Sequence, residues 1–129
     1  MCQMYSRNHT IDDYSIFCQW WKDWGWPEVP YEFLPVNSIV ICDDKPLCAV
    51  FLYKTDTPIV WMENYISSKS IKDRNGAMDM LFQSAQEKVK SMGFSVIMSS
   101  VKHNSLARRL EKTGFIKADT GLTNYIKGI

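Results

Sequence analysis

The chain has 129 residues, of which 46% are hydrophobic and 22% charged, with a formal net charge of +1 at pH 7. This composition is typical of a soluble globular protein, and the length predicts a single domain over residues 1–129. The near-neutral charge does not favour a nucleic-acid partner. Cys2, Cys18, Cys42 and Cys48 form no CxxC pair, so we expect reduced thiols and no metal site. The apolar runs are short, so we expect a cytoplasmic protein without a signal peptide or membrane span.

The first predicted helix begins after Thr10, which is followed three residues later by Asp13 in a pattern typical of a capping box. We expect a helix from about Ile11 to Trp24. Large apolar residues recur in it at helical spacing, at Phe17, Trp20, Trp21 and Trp24. The proline-rich segment WPEVPYEFLP then predicts an irregular, aromatic loop.

Three apolar runs follow the loop: SIVICDD, PLCAVFLYK and PIVWMENYISS. Turn-forming residues separate them, at 43–46 and 55–58. The sequence therefore predicts an antiparallel meander of three strands.

The second half of the chain predicts two helices and three strands. A helix over Asn75–Met92 carries one apolar stripe and ends at Gly93, and the run FSVIMSSV predicts a buried strand. A shorter helix is expected over Ser105–Thr113. The last segment, FIKADTGLTNYIKGI, predicts two strands around a turn at Asp119–Gly121.

This order of elements, with the segments WWKDWGWPEVPYEFLP, WMEN and EKTGF, resembles the Gcn5-related N-acetyltransferase (GNAT) superfamily, in particular small members often encoded by bacteriophages. The resemblance implies an α/β (α+β) fold with a mixed central sheet of six to seven strands flanked by three to four helices. It also implies that the fourth and fifth strands splay apart to admit acetyl-CoA, the acetyl donor. A phage-encoded member would act in the host cytoplasm.

The turn into the long helix, SIKDRNGAMDML, matches part of the family's pyrophosphate-binding turn. Small residues there let backbone amides approach a phosphate at the positive end of the helix dipole. One alignment places Asp73, Gly76 and Met78 at the motif positions, and a shift of one residue places Arg74 and Ala77 there. An ordinary helix start with solvated charges is the alternative. Together with the fourth strand and the segment KHNSLARRLEKTGF, the resemblance implies these CoA contacts: Tyr65, Ile66, Ser67, Ile71, Lys72, Asp73, Arg74, Asn75, Gly76, Ala77, His103 and Asn104.

In the segment KHNSLARRLEKTGF, Leu110 stands where many family members have a tyrosine that protonates the departing thiolate. Asn104 is equally plausible as a helix N-cap. Ser99, Ser100 and His103 are candidates for delivering the proton instead.

Glu63 lies in the middle of an apolar strand and is the candidate general base. An amine with a pKa of about 10.4 must lose its proton before it attacks, which costs roughly 4 to 5 kcal/mol at pH 7. Strict alternation would put Trp61, Glu63 and Tyr65 on one face of the strand. Glu63 paired with Arg7 or Lys54, or bound to a substrate cation, is the alternative. We expect these residues to form the acceptor pocket, although core packing competes for the helical tryptophans: Trp20, Trp21, Trp24, Trp26, Trp61 and Glu63.

The resemblance thus implies an N-acyltransferase that moves an acetyl group from acetyl-CoA to a primary amine of a small molecule or protein by direct attack. The resemblance also implies that a strand-four amide near 65–67 polarises the acyl carbonyl. The alternative is a weak or inactive binding module for a host or viral protein, acting through a Trp-rich face. Acylation of a modified nucleotide is a weaker third possibility. We expect a monomer or homodimer.

Overall fold

The protein, described over residues 3–129 by a computed structural model, is built on one mixed five-stranded sheet. The strands are β1 (Tyr5–Arg7), β2 (Ser38–Cys42), β3 (Pro46–Lys54), β4 (Ile59–Ser67) and β5 (Val96–Met98). Their order in the sheet follows the sequence, with antiparallel pairs from β1 to β4 and a parallel pair between β4 and β5. The predicted meander is therefore confirmed.

Three α-helices accompany the sheet: α1 (Tyr14–Trp24), α2 (Arg74–Ser91) and α3 (Asn104–Lys112). The first part of the helix predicted from Ile11 is a 3-10 turn over Ile11–Asp13, and a second 3-10 turn covers Tyr31–Phe33. Gly93 follows α2 with φ 91°, a left-handed conformation that terminates helices and favours glycine.

Both faces of the sheet are covered, which explains why β2 and most of β3 are buried throughout. On one face, α2 packs its predicted apolar stripe, including Leu81, Phe82 and Val89, into the larger core. On the other face, α1 packs Phe17, Trp20 and Trp21 against Phe51 in a smaller core.

The sheet has fewer strands than the six to seven predicted, and the prediction of two C-terminal strands is wrong. After α3 the chain turns at Gly114, where φ is 98°, and Phe115 packs against the larger core. Beyond Phe115 every residue is exposed and none is in a helix or strand. Local strand propensity is present there, but a strand forms only where it pairs with a neighbour, and residues 116–129 pair with none of the five strands.

None of the three α-helices, nor any other helix within residues 3–129, is long and apolar enough to cross a membrane. The same residues contain no cluster of side chains able to hold a metal ion. Cys18, Cys42 and Cys48 are free thiols, and Cys2 lies outside the described residues.

Candidate active site

The site begins where β4 and β5 separate. The two strands pair only at Ile59 with Val96, Val60 with Ile97 and Trp61 with Met98. Strand β5 then ends, while β4 continues to Ser67. The predicted splay is confirmed, and it leaves one edge of β4 unpaired beyond Trp61.

A β-bulge in β4 changes which face its side chains occupy. Ala49 lies opposite Ile66, but Phe51, two residues on, lies opposite Glu63, so β4 holds one extra residue. Asn64 accommodates that residue with φ 60°, in the left-handed region that asparagine tolerates.

The predicted alternation of β4 side chains is therefore wrong for Tyr65. Trp61 and Glu63 share the face of Phe51 and α1, whereas Tyr65 packs against Phe82 of α2, with ring centroids 6.0 Å apart. The bulge divides the predicted acceptor wall between the two faces of the sheet.

A cleft of about 400 Å³ lies at the split, between the end of β4, the start of α2 and α3. Its lining combines apolar, aromatic and cationic side chains, a mixture typical of small-molecule sites. The lining residues are Trp24, Trp26, Ala49, Tyr65, Ile66, Ser67, Arg74, Met78, Leu81, His103, Ser105, Leu106 and Arg109.

An aromatic stack closes one side of the cleft. Trp24 stacks on Trp26 at 5.4 Å between ring centroids, and Trp26 stacks on His103 at 5.6 Å. The Trp24 Nε1 group donates a hydrogen bond to the Ser67 carbonyl at 2.8 Å, and Lys69 Nζ lies 4.9 Å from the Trp24 ring centroid. The stack ties the loop after α1 to the start of α3 across the split.

Trp20 and Trp21 do not reach the cleft, contrary to the prediction. They are 5% and 3% exposed and belong to the smaller core. Helical spacing placed them on the buried face of α1, so the core-packing alternative holds for both.

Two arginines form the cationic end of the cleft. Arg74 donates to Ser67 Oγ at 3.0 Å and to the Ser68 carbonyl at 2.7 Å, which folds its guanidinium back over the end of β4. Arg109 of α3 donates to Asn75 Oδ1 at 2.8 Å. Both side chains are thus held beside the N-terminus of α2, where the helix dipole is positive.

The turn before α2 differs from the predicted phosphate cradle. The Asp73 carboxylate accepts the Gly76 amide at 2.9 Å, and the Asp73 carbonyl accepts the Ala77 amide at 3.0 Å. A Cβ at Gly76 would collide with the Asp73 carboxylate, so a side chain at this position would displace the carboxylate from the cap. The amides of Arg74 and Asn75 precede that first helical hydrogen bond.

Several predicted CoA contacts therefore do not line the cleft. Ala77 is buried, Ile71 packs against the larger core and Lys72 is exposed. His103 occupies the N-cap position of α3 and lines the cleft, while Asn104 is the first helical residue and is exposed. The predicted residues outside the lining are Ile71, Lys72, Asp73, Asn75, Gly76, Ala77 and Asn104.

Glu63 bridges the split from the α1 face, because its Oε1 atom accepts the Ser100 amide at 2.8 Å. Burial raises the pKa of Glu63, and the Ser100 hydrogen bond opposes part of that rise. Arg7 pairs with Asp13 at 2.7 Å, the one ion pair found within residues 3–129, so the alternatives that pair Glu63 with Arg7 or Lys54 are wrong. Neither Glu63 nor Trp61 lines the cleft itself.

Comparison with known proteins supports this geometry. No protein-family model and no curated protein matches the sequence. A structure of a Trypanosoma brucei acetyltransferase matches 96% of this chain and 100% of its own, at TM-score 0.71 and 15% identity. AAC(6')-Iy in complex with the bisubstrate analogue CoA-S-monomethyl-acetylneamine matches over 98% and 99%, at TM-score 0.70 and 15% identity. A Bacillus halodurans protein named as a transcriptional regulator matches over 96% and 100%, at TM-score 0.76 and 16% identity.

This chain has the GNAT fold. The split between β4 and β5, which the resemblance implied, is present with both of its flanking helices. At such low identity the likeness establishes the architecture, and the chemistry has to be argued from the residues of the cleft.

Leu110 is 6% exposed and packs in the larger core, so no acid occupies the position at which many GNAT proteins have tyrosine. Tyr65 brings a hydroxyl into the cleft from β4 instead. Ser99 donates its proton to the Met62 carbonyl, so Tyr65, 2.6 Å away, donates its own proton to Ser99 Oγ. Burial raises the pKa of Tyr65, and its remaining lone pairs are left to accept a hydrogen bond from a ligand.

The sequence interpretation missed five residues of the cleft lining, from β3, α2 and α3: Ala49, Leu81, Ser105, Leu106 and Arg109. Ser105 and Arg109 lie four residues apart and share a helix face, a spacing that could have identified the wall of α3. Ala49 and Leu81 had no such signal, because both belong to ordinary apolar runs.

Proposed function

We propose that the protein is a CoA-dependent N-acyltransferase that transfers an acetyl group from acetyl-CoA to a primary amine of a small molecule or protein. The observation that carries this proposal is the cleft at the split of β4 and β5, with two arginines at one end and the unpaired edge of β4 along its side. AAC(6')-Iy, which has the same fold, is bound to a CoA bisubstrate analogue, and this supports CoA as the ligand class.

The residues of the cleft fit the parts of CoA. Guanidinium groups pair well with phosphate oxygens, so Arg74 and Arg109 would hold the pyrophosphate. The early amides of α2 would add to that attraction, whereas the Asp73 carboxylate opposes it. The pantetheine arm would run along the unpaired edge of β4, where backbone amides and the Tyr65 hydroxyl meet its amides and thioester.

Glu63 would serve the acceptor amine from the other face of the sheet. The amine nitrogen attacks the acyl carbon, the carbon–sulfur bond breaks, and CoA leaves as a thiolate. Glu63 takes the proton that the amine loses, either directly or through a water. Water can supply a proton to the thiolate, whose conjugate thiol has a pKa of about 8.5, so the leaving group does not depend on an acid at Leu110.

The test compares Arg109→Ala with Arg108→Ala in acetyl-CoA calorimetry and in a thiol-release assay over a panel of primary amines. Arg109 lines the cleft, whereas its neighbour Arg108 is exposed and bonds to the Asn104 carbonyl, which makes it a matched control for charge. We expect Arg109→Ala to weaken acetyl-CoA binding by about 10- to 100-fold, because it removes a charged hydrogen-bond donor. Equal losses in both variants, or wild-type protein that does not bind acetyl-CoA, would contradict the proposal.

A second function is favoured by the occupied Gly76 amide and by Leu110. These two features remove a phosphate-binding amide and the usual acid, as a binding module without catalysis would tolerate. Such a module would bind a host or viral protein through Trp24, Trp26 and Trp61, since Trp20 and Trp21 are buried. Binding of acetyl-CoA without thiol release from any amine would favour this second function.

A further inference from the structure

Trp61 and Met98 form an apolar surface beside Glu63. The two residues are partners in the pairing of β4 with β5, so their side chains lie on the same face of the sheet. The adjacent pair, Val60 and Ile97, packs into the larger core on the α2 face, so Trp61 and Met98 face the α1 side. Both are half-buried, yet neither belongs to a hydrophobic core of residues 3–129. Large apolar side chains that are left outside the core can receive a ligand.

The Tyr53 ring lies beside the same carboxylate. Tyr53 is the β3 partner of Trp61, and antiparallel partners hold their Cβ atoms about 5 Å apart on one face. Its hydroxyl donates to the Phe33 carbonyl at 3.0 Å and accepts a hydrogen bond from Asn64 Nδ2. Burial raises the pKa of Tyr53, and the negative charge of the nearby Glu63 adds to that rise. The hydroxyl is therefore occupied, and the ring is held as a wall beside the carboxylate.

The Glu63 carboxylate presents one unpaired negative charge to this surface. Oε1 accepts the Ser100 amide, while Oε2 accepts no hydrogen bond within residues 3–129. Over that range no buried polar side-chain atom lacks a partner, so Oε2 is open to solvent. Glu63 forms no ion pair in the described part of the chain. Burial raises its pKa, the Ser100 hydrogen bond opposes the rise, and no second described carboxylate contributes. The charge that complements this site is one ammonium group.

We propose that the acceptor is an arylalkylamine, a primary amine with one positive charge on a flat apolar body. Its ammonium group binds at Oε2 of Glu63, and its ring lies against Trp61, Met98 and Tyr53. Aromatic faces attract both cations and flat apolar groups, and a methionine side chain adapts to the shape of a ring. Polyamines and aminoglycosides carry several ammonium groups, whereas this surface offers one carboxylate.

This acceptor class rests on the acetyl-transfer function proposed for the cleft. The ammonium group gives one proton to Glu63, directly or through a water, and the amine nitrogen then attacks the acetyl carbon. The carbon–sulfur bond breaks, so the products are the N-acetylated arylalkylamine and the CoA thiolate. The new element is the surface that selects the acceptor, and it can be tested without the reaction.

The first experiment measures acceptor binding to the full-length protein, with and without CoA. The probe is 2-phenylethylamine, compared with its uncharged counterpart 2-phenylethanol and with the polyamine spermidine. We expect 2-phenylethylamine to bind at least about 10-fold more tightly than either, because only it matches both the charge and the apolar surface. It should also shift the indole NMR signal of Trp61, which is assigned by its absence in Trp61→Phe. Tighter binding of spermidine, or no binding of 2-phenylethylamine in either condition, would overturn the proposal.

The second experiment measures thiol release in Trp61→Ala, with Tyr5→Ala as the matched control. Tyr5 is an aromatic strand residue that is 50% exposed, but it lies on β1 at the far edge of the sheet. Wild-type kcat/KM should be about 100-fold higher for 2-phenylethylamine than for ethylamine, because only the former buries a ring. Trp61→Ala should reduce this preference to about 10-fold through a higher KM for 2-phenylethylamine, and Trp61→Phe should restore most of it. An equal preference in Trp61→Ala and Tyr5→Ala would overturn the proposal.

The two experiments separate the acceptor class from acetyl transfer itself. Thiol release with spermidine or a lysine-containing peptide, but not with 2-phenylethylamine, would overturn the acceptor class and leave acetyl transfer in place. Binding of 2-phenylethylamine at Trp61 without thiol release from any amine would support the surface as an arylalkylamine site and overturn acetyl transfer.

Discussion

In the proposed acetyl transfer Glu63 is the candidate general base, and its surroundings suit that role. Burial raises the pKa of the carboxyl group, which makes the carboxylate a stronger base than an exposed one. The Ser100 amide, 2.8 Å from Oε1, holds the carboxylate at the mouth of the split. A strand interior accepts this charge because the separation of β4 and β5 gives it a backbone hydrogen-bond donor.

Glu63→Gln should therefore lower kcat/KM for acetyl transfer by about 100-fold, since it removes the proton acceptor and keeps the side-chain shape. In the wild type, kcat/KM should rise with pH through the raised pKa of Glu63, and this limb should disappear in the variant. The measurement is thiol release against pH, with Glu32→Gln, an exposed carboxylate on the 3-10 turn Tyr31–Phe33, as control. An unchanged pH profile in Glu63→Gln would exclude Glu63 as the base.

Glu63→Gln should lower activity but raise the stability of the folded protein above the pKa of Glu63. Because the folded pKa of Glu63 is raised, its stabilising contribution is present below the unfolded carboxyl pKa of about 4.3 and is lost as pH rises through the folded pKa. Glu63→Gln should therefore unfold at higher urea concentration than wild type at pH 8, with the difference vanishing in acid. In the proposed mechanism, the raised pKa of Glu63 favours proton transfer, but the buried charge lowers the free energy of unfolding above that pKa.

The bulge at Asn64 decides which face of the sheet each β4 side chain occupies. The extra residue turns Tyr65 toward α2 while Glu63 stays on the α1 face, so the proposed donor and acceptor sides of the site would come from neighbouring positions. Asn64 also donates from Nδ2 to the Tyr53 hydroxyl, which fixes the bulge to β3.

Asn64→Val should lower the free energy of unfolding by about 2–3 kcal/mol. Valine, which is β-branched, pays about 1–2 kcal/mol for the left-handed conformation that asparagine tolerates, and the lost hydrogen bond adds about 1 kcal/mol. Asn64→Gly tolerates the same φ and loses mainly the hydrogen bond, so it should cost less. Urea unfolding of both variants measures the difference, and equal losses would show that the left-handed backbone at Asn64 is not under strain.

The apolar pattern of the sequence correctly predicted those helices and strands whose burial follows from that pattern. The apolar stripe of α2 and the three strand runs lie where the sequence placed them, because their burial follows from a period of 3.6 or 2. The bulge at Asn64 could not be predicted, since the segment WMENY fits a regular strand as well as a strand with one extra residue. The role of Asp73 could not be predicted either, because a small residue at position 76 suits both a helix cap and a phosphate-binding turn.

The C-terminal strands show the limit of local reasoning for the whole chain. Residues 116–129 have strand-forming composition, but strands form by pairing, and the partner is decided by tertiary or quaternary contacts. The aromatic residues raised the same difficulty. Trp21 and Trp24 lie three residues apart on α1, yet Trp21 is buried in the core and Trp24 lines the cleft.

At the scale of the whole molecule, the stack of Trp24, Trp26 and His103 connects the loop after α1 to the start of α3 across the split between β4 and β5. A ligand in the cleft would touch α1's loop, β4, α2 and α3 together, so its binding should stabilise the entire fold. At a free acetyl-CoA concentration 100 times Kd, that stabilisation is about 2.7 kcal/mol and should raise Tm.

Trp26→Ala should reduce this ligand-induced rise in Tm, with Kd for acetyl-CoA increasing about 10-fold, because the variant removes one wall of the cleft. Trp26 is 37% exposed and stacks on two rings, so the ligand-free variant should lose some stability, and each rise in Tm is measured from that variant's own ligand-free Tm. Phe33→Ala is the control, since Phe33 is 59% exposed, lies on the same connecting segment and does not line the cleft. If Trp26→Ala bound acetyl-CoA more tightly, the result would contradict the role of Trp26 as a wall of the cleft. The stack of Trp26 on His103 would then be a barrier that must open before the ligand enters.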